Sequence, residues 1–308
     1  MAHITGTGTS WNLPNFSGEL FTADPTSTPL LSLAGGLENG RQTDNYEFAT
    51  SVLYDFPEAE QPGISEAASV SAPQATALQR TQQTNVVQIH QEVIELSYVK
   101  LSSSGRMAGI GGVQTIDERS FQVAQRIIKI ARDVEYSFIN GTYVKPASES
   151  MAGKTRGFME LLDGLATDAN NQPLSKNIMG KLFRDMADRG AYFSDIALLV
   201  SAAQKQAISA LYGEFLPQSR NEGGINITEL ETDFCRAKIV WDRFVPNDVI
   251  LAVDIRYVAS VFQEVPGKGV FFEEELAKTG AAERIQLFGQ IGLAHGPAFL
   301  HGMIEGLK

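Results

Sequence analysis

DNYEFATSVLYDF at residues 44–56 and TNVVQIHQEVIELSYV at residues 84–99 are two β-type runs that decide the fold of this 308-residue chain. In the first run the apolar side chains fall on even numbers from Tyr46 to Phe56, which predicts a strand with one apolar face. In the second run they shift from odd to even numbers, and this change of phase predicts a bulge at residues 90–93. Together the runs predict a long two-stranded arm.

The arm carries charge of almost one sign. Between Arg41 and Lys100 the only cation is Arg80, against eight carboxylates. The connection at 57–83 is too long for a tight turn and offers little to bury. Such an arm can bury little against its own domain, so we expect it to lie on another copy of the same chain. The carboxylates are Asp44, Glu47, Asp55, Glu58, Glu60, Glu66, Glu92 and Glu95.

A long amphipathic helix is predicted over residues 117–140, with Asp117 as its N-cap and Gly141 as its stop. At 1.5 Å per residue such a helix is roughly 35 Å long, enough to span a domain. One half of its helical wheel is apolar and the other half is mainly basic. The basic residues are Arg119, Arg126, Lys129 and Arg132.

The remaining segments predict a mixed α+β protein. Residues 1–40 indicate an extended arm with one apolar anchor, and residues 142–172 indicate irregular structure. Further on, the pattern predicts helices at 175–189 and 202–211 and strands at 196–200, 236–241 and 249–254. The anchor consists of Leu30, Leu31 and Leu33.

Composition excludes several classes of protein. The net charge of −11 argues against binding of nucleic acid through a basic face. A single cysteine, Cys235, excludes an intrachain disulfide framework and is expected to be a buried structural thiol. The chain lacks an apolar run of membrane-spanning length and a secretory signal pattern, so we expect it to stay in a cytoplasm and to bind no membrane.

Candidate catalytic motifs are weak. Gly153-Lys154-Thr155 matches the end of a phosphate-binding loop, but Ser148 stands where that loop requires glycine. His90, His295 and His301 are too scattered for metal spacing and are expected to be packed or surface histidines. The sequence therefore predicts no catalytic residue, cofactor site or metal site.

Six pieces of sequence in the same order, one of them in two parts, resemble the major capsid proteins of tailed double-stranded DNA bacteriophages, which share the Hong Kong 97 (Johnson) fold. The resemblance covers nearly the whole chain and lies in the order of arm, helix and mixed lobe. The segments are FSGELF (16–21), PTSTPLLSL (25–33), QIHQE (88–92), ELSY (95–98), RDVEYSFING (132–141), DRFVP (242–246) and ELAKTG (275–280).

The resemblance implies a domain order for this chain. It implies an N-terminal arm at 1–41, an extended E-loop at 42–100, a peripheral domain at 101–174 containing the spine helix 117–140, an axial domain at 175–300 and a C-terminal return to the peripheral domain at 301–308. In that fold the E-loop lies across a neighbouring subunit. The expected inter-subunit contacts are Glu58, Glu60, Glu66 and Arg80 on the E-loop, Arg119, Arg126, Lys129 and Arg132 on the helix, and Leu30, Leu31 and Leu33 on the arm.

The function implied is a structural one. Copies of the chain would form hexamers and pentamers of an icosahedral virion head that encloses double-stranded DNA without sequence-specific binding. Portal, scaffolding, protease or decoration proteins would be partners, and the bacterial host cytoplasm would be the place of assembly. Gly109, Gly111 and Gly112 are expected to form a hinge during maturation.

Some members of that family join subunits by an isopeptide bond from an E-loop lysine. This chain has no lysine from 42 to 99, so a non-covalent shell is predicted. Two alternatives stay open at this point. One is an encapsulin-like compartment with a cargo enzyme, and the other is a soluble enzyme that uses Lys154 or the histidines.

Overall fold

The computed structural model describes residues 27–54, 56, 58–61, 63–71, 77–102, 118–212, 228–278 and 280–308. The predicted hinge glycines Gly109, Gly111 and Gly112 and the predicted cap Asp117 lie outside these ranges. The helices of the described part are α1 Pro29–Ala34, α2 Glu66–Ser69, α3 Tyr98–Ser102, α4 Glu118–Asn140, α5 Phe158–Leu162, α6 Lys176–Asp188 and α7 Ala202–Tyr212.

The strands form two sheets and a separate two-stranded arm. The five-stranded sheet contains β1, β10, β12, β11 and β4, the six-stranded sheet has the order β5-β13-β9-β6-β8-β7, and β2 pairs with β3. Their bounds are β1 Arg41–Thr43, β2 Glu47–Tyr54, β3 Arg80–Val86, β4 Gln88–Ser97, β5 Thr167–Gln172, β6 Ile196–Val200, β7 Glu229–Glu231, β8 Arg236–Trp241, β9 Ile250–Asp254, β10 Ala259–Gln263, β11 Phe271–Glu275, β12 Ala282–Ala294 and β13 Gly302–Leu307.

The long helix α4 confirms the predicted spine. Its apolar stripe, including Ile130, Val134 and Phe138, is buried in a core shared with β12 and β9. It ends at Asn140. Only glycine fits at the next position, because a Cβ on Gly141 would lie 2.2 Å from the carbonyl oxygen of Ser137. The helix thus joins the two sheets through one apolar core.

The apolar anchor near the N-terminus docks inside its own chain. Residues Pro29–Ala34 form helix α1, where an extended arm was predicted, and Leu30 and Leu31 are 0% and 2% exposed in the core around α4. The expected inter-subunit contact is therefore corrected for these two leucines, because their surfaces are already covered. Leu33 is 39% exposed and remains accessible.

The six-stranded sheet carries the second apolar core. Every residue of the central strands β6 and β9 is buried, and α6 packs on β13 so closely that a Cβ on Gly302 would lie 2.7 Å from Met186 Sδ. Ser175 caps α6 by accepting a hydrogen bond from the Ile178 N–H at 3.3 Å. The predicted helices and strands between 175 and 254 are confirmed by α6, α7, β6, β8 and β9.

One sequence prediction fails in this region. The stretch at 142–172 is not wholly irregular, since it contains α5 and β5; α5 is too short for a helical period and β5 (TDANNQ) is almost wholly polar. The C-terminal strand β13 lies between β5 and β9 in the six-stranded sheet, while β10 to β12 share the other sheet with β4. Sheet order therefore does not follow chain order, and the predicted domain boundaries at 174 and 300 stay predictions.

Candidate assembly interface

The arm consists of β2 and β3 only. They pair from Glu47↔Val86 to Tyr54↔Arg80, and the register shifts between Ala49 and Ser51. The second predicted run breaks at Val87, after which β4 pairs with β12 over ten consecutive residue pairs without a shift. The predicted bulge at 90–93 is therefore wrong: the change of phase marks the point where the chain passes from one sheet to another.

The even-numbered apolar residues of β2 are covered near the body and uncovered toward the tip. Phe48 is 9% exposed and packs with Val87, Val261 and Ala294. Beyond the register shift, Val52 is 59% exposed and Tyr54 is 61% exposed. The apolar pattern that predicted the strand thus continues beyond the part of the chain that can cover it.

Exposed apolar residues continue into the tip of the arm. Together they form a surface, here called the arm surface, whose members are all large hydrophobic side chains more than half exposed. Several large apolar side chains exposed in one segment of a soluble protein indicate a binding surface. The arm surface consists of Val52, Tyr54, Phe56, Ile64, Val70 and Leu78.

Charges surround the arm surface without local partners. Glu58, Glu60 and Glu66 are exposed, as is Arg80, and none of them forms an ion pair within the described residues. A complementary partner would offer an apolar groove with cations at its rim. These four residues therefore remain candidates for contact with another subunit.

The basic face of α4 forms ion pairs with carboxylates of its own chain. Arg119 binds Glu273 at 2.9 Å and Glu275 at 3.4 Å, and Arg126 binds Glu92 at 3.4 Å. Lys129 contacts Glu92 and also Asp133 at 2.8 Å, and hydrogen bonds to these two carboxylates raise the pKa of Lys129.

Carboxylates of their own chain meet Arg119, Arg126 and Lys129, and the inter-subunit role of these cations stays a prediction. Arg132 differs from the other three. Its Nε is buried and has no hydrogen-bond partner in the described part of the chain. The sequence predicted a uniform basic face. In the structure three of its four cations form ion pairs, whereas Arg132 has a buried Nε without a partner among the described residues.

A buried pair of carboxyl groups joins α1, α4 and the segment after β8. Glu135 is 0% exposed and accepts hydrogen bonds from the Leu30 and Leu31 N–H groups at 2.7 and 2.6 Å, so it caps α1 from the helix it packs on. Asp242 Oδ1 accepts from the Phe244 N–H at 2.8 Å, while its buried Oδ2 has no donor. If Glu135 is protonated, as its raised pKa favours, its proton can supply the missing donor.

The environment of the pair favours that proton. Burial, together with the neighbouring Asp242, raises the pKa of Glu135 to about 9, and burial also raises the pKa of Asp242. Sequence reasoning did not single out Glu135. The feature of the sequence that could have identified Glu135 is its position as a carboxylate on the apolar half of the helical wheel, beside Val134 and Phe138.

The three histidines are packed groups. His301 is 0% exposed, and its Nδ1 accepts a hydrogen bond from the Asp254 N–H at 3.1 Å, so its Nε2 carries the proton donated to the His295 carbonyl at 2.6 Å. Burial lowers the pKa of His90, His295 and His301 to about 4. No cluster of metal ligands occurs among the residues that the structure describes.

The other chemical candidates are also structural. Thr155 of the Gly-Lys-Thr segment is fully buried, and the backbone of Lys154 pairs with Val144. Cys235 is half-buried, and burial raises the pKa of its thiol, which makes it less reactive. Within the described ranges, no helix is both long and apolar enough to cross a membrane.

Comparison with known proteins gives one family and one fold. The family model of the SU10 major capsid protein matches residues 3–308. No curated protein matches the chain.

Three solved structures illustrate the fold. The capsid of cyanophage A-1(L) aligns with a TM-score of 0.68 at 10% identity, covering 97% of this chain and 98% of that one. A structure from Mycobacterium phage Bobi aligns with a TM-score of 0.59 at 12% identity, covering 98% and 97%. The SrpI encapsulin of Synechococcus elongatus PCC 7942 aligns with a TM-score of 0.57 at 11% identity, covering 95% and 93%. The predicted α+β Hong Kong 97-like capsid fold is confirmed.

Proposed function

This chain belongs to the SU10 major capsid protein family, and on that premise we propose that its copies assemble into hexamers and pentamers of an icosahedral head around packaged double-stranded DNA. The family is one of structural proteins, and the chain is a subunit of a virion shell. Its partners in the proposal are other copies of itself, a portal, and scaffolding, protease or decoration proteins. Assembly takes place in the cytoplasm of a bacterial host, and no membrane or cofactor is required.

The observation that carries the proposal is the uncovered arm surface. Six large side chains from Val52 to Leu78 lie exposed on a projection held by a sheet at its base. Burying such a side chain against a neighbour stabilises the contact by on the order of 1–2 kcal/mol each. An exposed ion pair of Glu58, Glu60 or Glu66 adds only ~0.2–1 kcal/mol. The arm therefore acts as an E-loop whose hold on the next subunit is mainly apolar.

The rest of the chain has proposed roles that follow the same family. The N-terminal arm at 1–41 has a proposed role in contacts with neighbouring subunits, and its helix α1 is fixed in the core by Leu30 and Leu31. The lobe built on the six-stranded sheet is the axial domain, and the lobe built on α4 and the five-stranded sheet is the peripheral domain. The glycines Gly109, Gly111 and Gly112 stay candidates for a hinge between arm and spine.

The absence of lysine from 42 to 99 supports a shell without isopeptide bonds from the arm. A second candidate function is an encapsulin-like compartment, favoured by the similarity of this fold to that of an encapsulin. The contents of purified particles distinguish the two. Packaged DNA supports the virion head, and a co-purifying cargo protein supports the compartment.

Electron microscopy of the purified protein tests the proposal. We expect closed shells from the unchanged chain and a reduced assembled fraction from Phe56→Ser, because Phe56 is 75% exposed and contributes nothing to the core of its own subunit. Met151→Ser is the matched control, since Met151 is 45% exposed and lies outside the arm. Full assembly of Phe56→Ser subunits, or equal losses in both variants, would contradict the proposed role of the arm.

A further inference from the structure

The base of the arm contains a buried amide whose hydrogen-bonding capacity is completely used. Asn85, near the end of β3, is 0% exposed. Its Nδ2 donates to the Leu293 carbonyl at 2.9 Å and to the Arg156 carbonyl at 3.3 Å. Its Oδ1 accepts from the Arg156 N–H at 2.8 Å and the Val86 N–H at 2.9 Å. A side-chain amide has two donor hydrogens and two acceptor lone pairs, so no capacity is left over.

The orientation of this amide is fixed by its partners. Two of them are N–H groups and two are carbonyl oxygens, so exchanging Oδ1 and Nδ2 would place like against like at every contact. Asn85 thus connects three backbone segments at once: its own strand, β12 at Leu293, and the segment at Arg156. A side chain bonded in this way cannot rotate without breaking several bonds.

The location explains why an amide is needed there. The pairing of β4 with β12 ends at Gln88↔Ile291, so Leu293 has no strand partner on that edge within the described residues, while β10 pairs with it on the other edge through Ser260. Asn85 occupies the Leu293 carbonyl, and the Thr155 Oγ1 accepts a hydrogen bond from the Leu293 N–H at 3.2 Å. These two side chains, here called the arm clamp, replace the missing strand. Without them two buried backbone groups would be left unpaired.

Steric fit places the arm on the same spot. A Cβ on Gly292 would lie 2.8 Å from Phe48 Cε1 and 2.9 Å from the Val86 carbonyl oxygen, so only glycine lets β2 and β3 approach β12 this closely. Glu47 of β2 also forms an ion pair with Lys145 at the arm base. The direction in which β2 and β3 leave the body is therefore set at one small contact region around Leu293.

We propose that Asn85, together with Thr155, is the positioning residue that fixes the direction of the arm and thereby lets the arm surface reach the next subunit. The inference rests on the proposed function, in which the arm contacts a neighbour. It adds that the direction of the arm is fixed by contacts within the subunit before assembly. A small rotation at Leu293 displaces the tip by a much larger distance, because the arm acts as a lever.

The experiment measures the arm in unassembled subunits and assembly separately. Spin labels on Thr81→Cys in β3 and Lys181→Cys in α6, both exposed positions, report the arm-to-body distance distribution in a Cys235→Ala background. Asn85→Asp is isosteric but removes both donors and places carboxylate oxygens against two carbonyls. We expect the distribution to broaden about twofold and the assembled fraction to fall about tenfold, as for the loss of one good contact per interface.

The control is Asn45→Asp, which makes the same change of charge at an exposed position near the arm base. We expect it to leave both measurements unchanged. A folded Asn85→Asp subunit with an unaltered distance distribution overturns the proposal, and so does a broadened distribution combined with full assembly. Should Asn85→Asp fail to fold, Thr155→Val decides, since it removes only the acceptor for the Leu293 N–H. An unaltered distribution in Thr155→Val then overturns the proposal.

Failure of the proposed function has a different signature. If the arm does not contact a neighbour, Phe56→Ser subunits assemble fully while the label distances still respond to Asn85→Asp. If the clamp does not position the arm, Phe56→Ser still reduces assembly and the label distances stay the same.

Discussion

Replacing Glu135 by glutamine should remove a pH dependence that is built into the core. Glu135 is buried and holds a proton against Asp242 while it caps α1 through Leu30 and Leu31. Its pKa rises from the ordinary 4.5 to about 9, chiefly through burial. The folded chain therefore keeps this proton over a range in which the unfolded chain has lost it.

The sign and the size follow from proton linkage. The stabilisation by the protonated group is fully present below pH 4.5 and is lost as the pH rises toward about 9, the folded-state pKa. A shift of this size corresponds to at most ~6 kcal/mol of unfolding free energy over the whole range. Glutamine cannot ionise. Its Nε2 replaces one carboxylate oxygen and is a donor, so one of the two N–H groups of α1 loses its acceptor. At low pH this should cost ~1–3 kcal/mol.

The assay is urea unfolding of unassembled subunits at pH 5, 7 and 9. The unchanged protein should lose stability steadily toward pH 9, and Glu135→Gln should be less stable at pH 5 but overtake it near pH 9. Glu60→Gln is the control, because Glu60 is exposed and unpaired within the described residues, and it should follow the unchanged protein at every pH. Parallel pH profiles for Glu135→Gln and the unchanged protein would refute the shared-proton reasoning.

Three further predictions concern acid, packing and covalent linkage. Burial lowers the pKa of His90 from 6.5 to about 4, so the free energy of unfolding should fall as the pH drops through that window. His90→Leu should reduce this loss by up to ~3 kcal/mol in urea unfolding at pH 7 and 4. An unchanged loss would contradict the prediction. Gly292→Ala should destabilise the subunit by ~1–3 kcal/mol in calorimetry through contact with Phe48 and Val86, whereas Gly180→Ala, which meets nothing within 4 Å, should not; equal effects would refute the close approach. Shell subunits should run as monomers on a denaturing gel, since the arm has no lysine from 42 to 99, and a ladder of linked subunits traced to the arm would contradict this.

Much of the local structure could be predicted from the sequence because periodicity reports which side of an element is buried. The alternation from Tyr46 to Phe56 identified β2, and the apolar stripe containing Val134 and Phe138 identified α4. The same periodicity could not show whether an apolar side chain is covered by its own chain. Val52 and Tyr54 follow the pattern as well as Phe48 does, yet only Phe48 is covered by its own chain.

The candidate interface was predicted in part. The exposed carboxylates at 58, 60 and 66 lie where the composition placed them, on a projecting arm. The cations of α4 were assigned to a neighbour because charge pattern alone cannot tell an intrachain partner from an intersubunit one. Glu273 and Glu275 are distant from Arg119 in the sequence, and Glu92 is distant from Arg126, yet these residues are in contact in the fold.

The sequence by itself determined the α+β class, the spine helix, the acidic arm and its lack of lysine, since each depends on neighbouring residues or on composition. Only the tertiary structure decided that the second run divides at Val87, that Glu135 caps α1, and that Asn85 joins β3 to Leu293 across 208 residues. Sheet partners and buried polar contacts are long-range, and they exist only after distant segments have been brought together. A residue such as Asn85 therefore looks ordinary in the sequence and acquires its role in the fold.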